Sequence, residues 1–213
     1  MNLNLLVDFA INLFFAFLGV VVAIWYENLG SPRLLLIPGN TTDDVKPNGW
    51  RVRFLHINVK NSPKKVPLVT RQTAYSVHGT VTFIRKSDGK QVGQTMPIRW
   101  DGAPEPIKFE VANGQVLSIP DPRLVRISRY IDIPPDEQEG FAIAVRIYDE
   151  KTAFGWTSES YFQNWRHNDY ALPIGEYVAK VRLTTGDATF EGEFPFANFD
   201  AFEPFALSRR NAG

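Results

Sequence analysis

Cysteine is missing from all 213 residues. Its absence removes disulfides, a lipid-modified cysteine anchor and every thiolate-based zinc or iron–sulfur site. Histidine is scarce as well. His56, His78 and His167 are the only three, each without a second ligand type at a recognised spacing, so no metal centre is expected. There is no glycine-rich phosphate loop, no Gly-x-Ser-x-Gly elbow and no His-Glu-x-x-His helix, so no cofactor and no familiar hydrolytic motif is expected either. The 23 Lys and Arg equal the 23 Asp and Glu, and a neutral chain makes no general case for nucleic acid.

Charge is unevenly spread. Twelve Lys and Arg face three acids between Lys46 and Lys108, whereas from Asp132 onward acids outnumber bases two to one. Two readings stay open. Folding interleaves the halves so that the charges pair, or the basic half forms a surface facing anionic lipid.

What the chain does have is one apolar run, residues 5–26, about as long as a hydrocarbon core is thick when wound as a helix. A cleaved signal peptide would open on a positive n-region and end at a small-residue site after a shorter run. Met1-Asn2-Leu3-Asn4 carries no cation. A buried core helix would show a polar face, and residues 13–24 show none. The run therefore reads as a membrane span. Trp25 and Tyr26 close it where amphipathic rings favour the headgroup layer, and Pro32 disfavours helix in the residue before it. Arg33, Lys46, Arg51 and Arg53 follow the run, while its N-terminal side has no Lys or Arg and carries Asp8 instead. Cations hold their side of a span in the cytoplasm, so the head is expected there.

Within the run, Asp8, Asn12, Ala16, Gly19 and Ala23 fall on one helical face. Small residues let membrane helices approach closely, and an amide can hydrogen-bond across the contact. That stripe is a candidate association seam for a homo-oligomer or a protein partner. The bland alternative makes it ordinary membrane-helix filler.

After Pro32 the hydrophobic period changes to two. Residues 33–37 read as a short strand and 39–49 as a polar loop. From residue 50 to 59, Arg51, Arg53, Leu55, Ile57 and Val59 share one side. Over residues 73–84, Tyr75, Val77, Val81 and Phe83 face one way and Ser76, His78, Thr80 and Thr82 the other. Ser87-Asp88-Gly89-Lys90 is a hairpin signal, with its partner strand at 92–100. Further strands are expected near 106–111, 115–119, 125–133, 141–148, 176–184 and 189–196, the last two joined at Thr185-Gly186-Asp187. Many short strands between Gly and Pro, without a long amphipathic helix, argue for a sandwich or barrel.

Leu172-Pro173-Ile174-Gly175-Glu176-Tyr177, followed by alternating residues, resembles the tyrosine corner of immunoglobulin-like domains, in which a strand-F tyrosine bonds back to the preceding loop. Ala179 stands where disulfide-bearing members carry Cys. The resemblance is thus to disulfide-free, fibronectin-III-like modules, and it implies an all-β immunoglobulin-like sandwich. The whole chain also resembles prokaryotic membrane proteins with one N-terminal span and an immunoglobulin-like head, a likeness that brings no activity with it. The expected organisation is an anchor and linker at 1–30, a sandwich at 31–200 and a polar C-terminal tail at 201–213.

The most site-like segment is aromatic: Trp156, Tyr161, Phe162, Trp165, Arg166, His167, Asn168, Asp169 and Tyr170. Aromatics with Arg are common interface anchors, and they are equally what a loop needs to close a sandwich. The leading expectation is a single-pass membrane protein whose partners are the bilayer and a protein, with binding and no catalysis. An extracytoplasmic sandwich binding ligand or carbohydrate is the alternative. A hydrolase whose acids and His meet only on folding is a third.

The seam yields a direct prediction. In a membrane dimerisation reporter, Gly19→Leu should weaken association by bulk and Asn12→Leu by removing a hydrogen bond worth about 0.6–2 kcal/mol. Val21→Leu, on the opposite face, should match the parent. Equal signals from all four would make the stripe filler.

Overall fold

The computed structural model describes residues 3–45, 49–112, 115–186 and 188–208; the side chains of 3–10, 109–112, 115–118 and 120 lie outside that description. Helix α1 (Leu3–Leu29) is continuous, and its stretch Ile11–Leu29 is long and apolar enough to cross a membrane. Residues 11–28 are all exposed, so the head covers no face of it. Asn12, Ala16 and Ala23 are exposed with the rest, and a side chain at Gly19 would meet nothing within 4 Å. Asp8 lies on the helix with its side chain outside the described set.

The head is built on two antiparallel sheets. One runs β1 (Leu34–Val45), β2 (Arg51–Asn61), β8 (Gln138–Ile147), β9 (Ala153–Gly155), β10 (Ala171–Leu172). The other runs β12 (Ala188–Asn198), β11 (Gly175–Thr185), β3 (Ala74–Arg85), β4 (Gln91–Pro97), with β7 (Ile131–Ile133) on the near end of β3. A separate hairpin pairs β5 (Ile107–Ala112) with β6 (Gln115–Pro120), and a short helix α2 (Pro122–Ile127) follows. Leu55, Ile57 and Val59 of β2 meet Val77, Val81 and Phe83 of β3 and Tyr177, Val181 and Leu183 of β11 in one core between the sheets. The period-two pattern of β2 thus turns its apolar set inward.

Strand β8 is buried on both faces, and a bulge explains how. Its register against β2 shifts between Leu55 and His56, so that Ile143 is the extra residue. A bulge changes the parity of facing: Phe141, Ile143 and Ala144 join the central core, while Ala142, Val145 and Ile147 join a second cluster outside it with Val52, Phe54, Phe154 and Trp156. A near-continuous apolar run is what such a strand needs.

Several expectations are corrected. The loop at 39–49 is largely strand, because β1 continues to Val45 through a second bulge between Pro38 and Thr41, and β2 supplies its backbone partners. Residues 125–133 are not one strand. Asp121 accepts from the Arg123 amide at 3.0 Å, and with Pro122 next to it starts α2 instead; only Ile131–Ile133 is strand. Tyr75 does not share a face with Val77, for Ser76 takes a φ of 50° where the β3–β7 register slips, and Tyr75 turns to solvent. The polar tail is only partly so. Within 201–208, Phe205 is fully buried in the core and Phe202 nearly so, and Phe196 bridges to Leu207. Residues 209–213 lie outside the described set, as does Asp187 of the last hairpin.

The Asp88–Gly89 turn takes its expected form, with Gly89 at φ 66° and Arg85 donating to the Lys90 carbonyl at 2.9 Å. Beside that turn, at the start of β11, the Tyr177 hydroxyl donates to the Pro173 carbonyl at 2.6 Å, and Gly175 leaves room for it: a Cβ there would stand 3.3 Å from the hydroxyl oxygen. Tyr177→Phe should therefore lower stability by about 0.5–1.5 kcal/mol, roughly 2–4 °C of Tm per kcal/mol for a domain of this size. Tyr75→Phe, at an exposed site, should leave the melting curve in place. Equal curves for parent and Tyr177→Phe would show that the bond carries no stability.

Candidate functional site

A cleft of about 390 Å³ opens on the outer face of the β1–β2–β8 sheet, walled by Phe54, Trp156 and Tyr161 and rimmed by Thr42, Asp43, Asp44, His56, Arg99 and Asp101. Each polar side chain is placed by a separate device. The β1 bulge between Pro38 and Thr41 resets which residues of that strand face the cleft. It leaves Thr42 opposite Phe54, with its Oγ1 2.7 Å from His56 Nε2. His56 is opposite Ala142 on β8, a residue small enough to leave the cleft open. Asp101 follows Trp100 in a turn whose amide donates to the Gly140 carbonyl at 2.8 Å. Gly140 leaves room for that carboxylate: a Cβ would stand 2.7 Å from Asp101 Oδ2. The carboxylate so held lies 2.9 Å from His56 Nδ1.

Thr42, His56 and Asp101 thus form a line: hydroxyl, imidazole, carboxylate. With the proton on Nδ1 donated to Asp101, Nε2 is left to accept the Thr42 hydroxyl. That is the arrangement in which an imidazole can take a proton from a hydroxyl.

Arg99 closes the other side. It is 5% exposed, donates from Nη1 to the Trp100 carbonyl at 3.3 Å and from Nη2 to the Ala103 carbonyl at 2.6 Å, and stands 5.3 Å from the centre of the Tyr161 ring. Its Nε is buried without a hydrogen-bond partner in the protein. A buried donor left unsatisfied is unfavourable. Burial pushes the Tyr161 phenol up to about 12, Arg99 pulling it down and Glu105, which accepts from it at 3.3 Å, pushing it further up.

The aromatic segment is mostly a cover for the outer face of this sheet. Trp156 is 4% exposed and packs edge-on against Phe54 and Trp165, each with ring centres 5.0 Å away. Thr157 caps the 3-10 turn Ser158–Gln163 that carries Tyr161 to the cleft wall. Arg166 binds Glu150 at 2.8 and 2.5 Å and lies over Trp50. His167 and Tyr170 are buried with rings 4.3 Å apart. Asp169 is exposed, and its carbonyl occupies the place a Cβ on Gly93 would take. Leu172, Gly175 and Tyr177 do not line the cleft; Leu172 and Tyr177 are buried in the core between the sheets. Of the segment, Trp156 and Tyr161 alone line the cleft. Thr42, Arg99 and Asp101 carried no sequence signal, since a bulge and a chain reversal bring them to His56.

A wider hollow of about 610 Å³ lies on the outer face of the β12–β11–β3–β4 sheet. Its polar groups are committed to one another: Lys180 to Glu193 at 3.1 Å, Arg182 to Glu191 at 3.7 Å, and Thr82 to Thr95 at 2.9 Å. The cleft at His56 is the better candidate because it sets the Thr42–His56–Asp101 line beside apolar walls.

No protein-family model matches this chain, and no curated protein matches it in sequence.

The Tyr161 environment can be checked by alkaline titration. A phenol whose folded pKa is raised contributes stability that is complete below its unfolded value, near 10, and is lost as pH rises through about 12. Tyr161→Phe should remove the portion of the tyrosinate absorbance nearest pH 12 and blunt the fall in stability between the two values. A difference curve centred near 10 would mean that the ring is not enclosed.

Proposed function

We propose that the chain is a single-pass membrane protein whose immunoglobulin-like, fibronectin-III-like head stands on the cytoplasmic side and binds a segment of a partner protein in the His56 cleft. The observation that carries the anchoring is the exposure of α1 from Ile11 to Asn28. Twelve large apolar side chains from Ile11 to Tyr26 lie open, and an apolar surface of that size marks a membrane or interaction site. The core of the head contains no residue of the helix.

The sandwich reading is supported by strand order. With β1, β2 and β8 as strands A, B and E, and β3, β11 and β12 as C, F and G, the pairing matches that of the immunoglobulin class. The Tyr177 bond then falls at the start of strand F. The binding reading is supported by the cleft: apolar walls with a few convergent polar groups are the usual form of a recognition site, and Arg99 Nε offers a donor to a backbone carbonyl or carboxylate of the partner. The stripe on α1 adds a route to self-association.

A second reading comes from the Thr42–His56–Asp101 line. In an acyl transfer, Thr42 Oγ1 would attack an ester carbonyl carbon while His56 Nε2 takes its proton. The tetrahedral species would expel the alcohol, which leaves with that proton, and water would release the acyl group by the same steps reversed.

One set of variants separates the two. Full-length protein should sediment with membranes and resist alkaline carbonate. A photocrosslinking residue at Tyr161 should give a discrete adduct that falls about tenfold or more with Arg99→Ala, the loss of a buried hydrogen bond to charge; Thr42→Val should leave that adduct intact. Turnover of aromatic esters by the parent, abolished by Thr42→Val and by His56→Ala, would select the hydrolase. Protein found mainly in the soluble fraction would overturn the anchored reading.

A further inference from the structure

The junction between helix and head is a docked joint, built on a loop that has no part in the cleft. Gly30 follows α1 directly and is buried. Its carbonyl accepts from the Gln72 amide at 3.0 Å, and a Cβ on it would stand 2.2 Å from the Thr70 carbonyl oxygen. The Tyr26 hydroxyl, one turn back on the helix, donates to the Leu68 carbonyl. Ser62 donates to the Arg33 carbonyl at 2.8 Å, and Arg33 donates its amide to Asn61 Oδ1 at 3.1 Å. Residues 62–70 are therefore held beside the last turn of α1 from both ends.

What that loop presents is unusual. Leu68 is 96% exposed and takes a φ of 66°, a conformation uncommon for a residue with a bulky side chain. Nothing in the head uses the side chain. Lys64 and Lys65 are exposed on the same loop, and Arg33 is exposed across from it. Of the acids near this joint, Asp136 is taken by Arg71, while Glu27 on the last turn of α1 is exposed. An apolar tip among cations, at the level of Trp25 and Tyr26, has the chemistry of an anionic leaflet: hydrocarbon beneath, phosphate and carboxylate headgroups above.

We infer that residues 62–70 form a lipid-binding element that seats the head on an anionic membrane surface, with Leu68 entering the boundary layer and Lys64 and Lys65 meeting the headgroups. The inference rests on α1 spanning the bilayer. Its consequence is orientation. Leu34 and Asn61 pair at the foot of β1 and β2, and Thr42 lies eight residues further along β1. At about 3.3 Å per residue, the cleft then stands up to roughly 25 Å along the strand from the headgroups.

The absence of cysteine makes the test clean. Full-length Leu68→Cys and Ser87→Cys, each labelled with an environment-sensitive fluorophore, would be reconstituted into vesicles of phosphatidylcholine with and without phosphatidylserine. Ser87 is exposed at the far end of β3. The expected result is a blue shift and quenching by brominated lipid at position 68, strongest with phosphatidylserine, and aqueous emission at 87. Adding Lys64→Glu and Lys65→Glu should cut the inserted-to-free ratio by roughly tenfold or more. Aqueous emission at 68 in protein that floats with the vesicles would overturn the lipid element and leave the anchor standing. Protein that fails to float would overturn the anchor itself, and the element with it.

Discussion

A buried arginine closes the head. Arg146 on β8 is 1% exposed, and among the described residues no carboxylate forms an ion pair with its guanidinium. Five oxygens accept from it instead: the carbonyls of Glu150, Phe199, Asp200 and Ala201, and Oδ1 of Asn198, at 2.6–2.9 Å. A cation taken out of water is tolerable only if its donors are satisfied, and here carbonyl dipoles perform that task. Asn198 continues the network. Its amide donates to the carbonyls of Lys151, Leu172 and Pro173, and the Pro173 carbonyl also accepts the Tyr177 hydroxyl. Three side chains, one each from β8, β12 and β11, thereby join both sheets and the connection before β11. The chain after β12 is held by the same donors, which is why Phe202 and Phe205 reach the interior. In a network of this kind each group's satisfaction depends on the others, so the end of the sandwich behaves as one unit.

Closure at that end leaves the β1–β2–β8 sheet free to build on its outer face. Two bulges do so in opposite ways. The one in β8 sends Ala142, Val145 and Ile147 outward, and these need a cover. Trp156, Tyr161 and Trp165 provide it. The bulge in β1 helps bring Thr42 to His56 at the edge of that cover. The cleft is the margin where cover and sheet do not quite meet. Its aromatic walls are thus part of the packing, and its polar rim is the added feature. The charge asymmetry of the sequence is partly spent in pairing, as Arg71 with Asp136 and Lys86 with Glu176 bring the basic and acidic halves together.

Much of the fold was legible because local rules and burial agreed. The apolar run gave a helix, Asp88–Gly89 gave a turn, and Leu55, Ile57 and Val59 gave an inward face. The Leu172–Tyr177 pattern pointed to a backward hydrogen bond, and one is present. Illegible features share a cause: they depend on parity shifts or on distant partners. Residues 39–45 are polar and look like a loop, yet β2 offers them a ladder and Arg53 binds Asp43 at 2.6 and 2.7 Å. Tyr75 looked inward until the Ser76 backbone turned it. The burial of Phe202 and Phe205 in the tail depends on the chain just before them, where the carbonyls of Phe199, Asp200 and Ala201 accept from Arg146, and backbone acceptors leave no trace in composition. For the site, the sequence named Trp156 and Tyr161 but neither His56 nor its partners. Asp101 is 45 residues away, and its seat is a missing side chain at Gly140.

The joint at Gly30 ties these parts to function. On the proposed orientation, a free linker would let the head turn and would present the cleft at no fixed height or angle. Gly30 against Thr70, and Tyr26 against Leu68, remove that freedom at the point where helix becomes strand. β1 begins four residues later and runs without a break, apart from its bulge, to the cleft. Rotation of α1 about its own axis would therefore carry the cleft with it. Two chains associated along the Gly19 face would hold their clefts in a defined mutual arrangement, a geometry that a partner with two matching segments could read through effective concentration, without any increase in the affinity of either cleft.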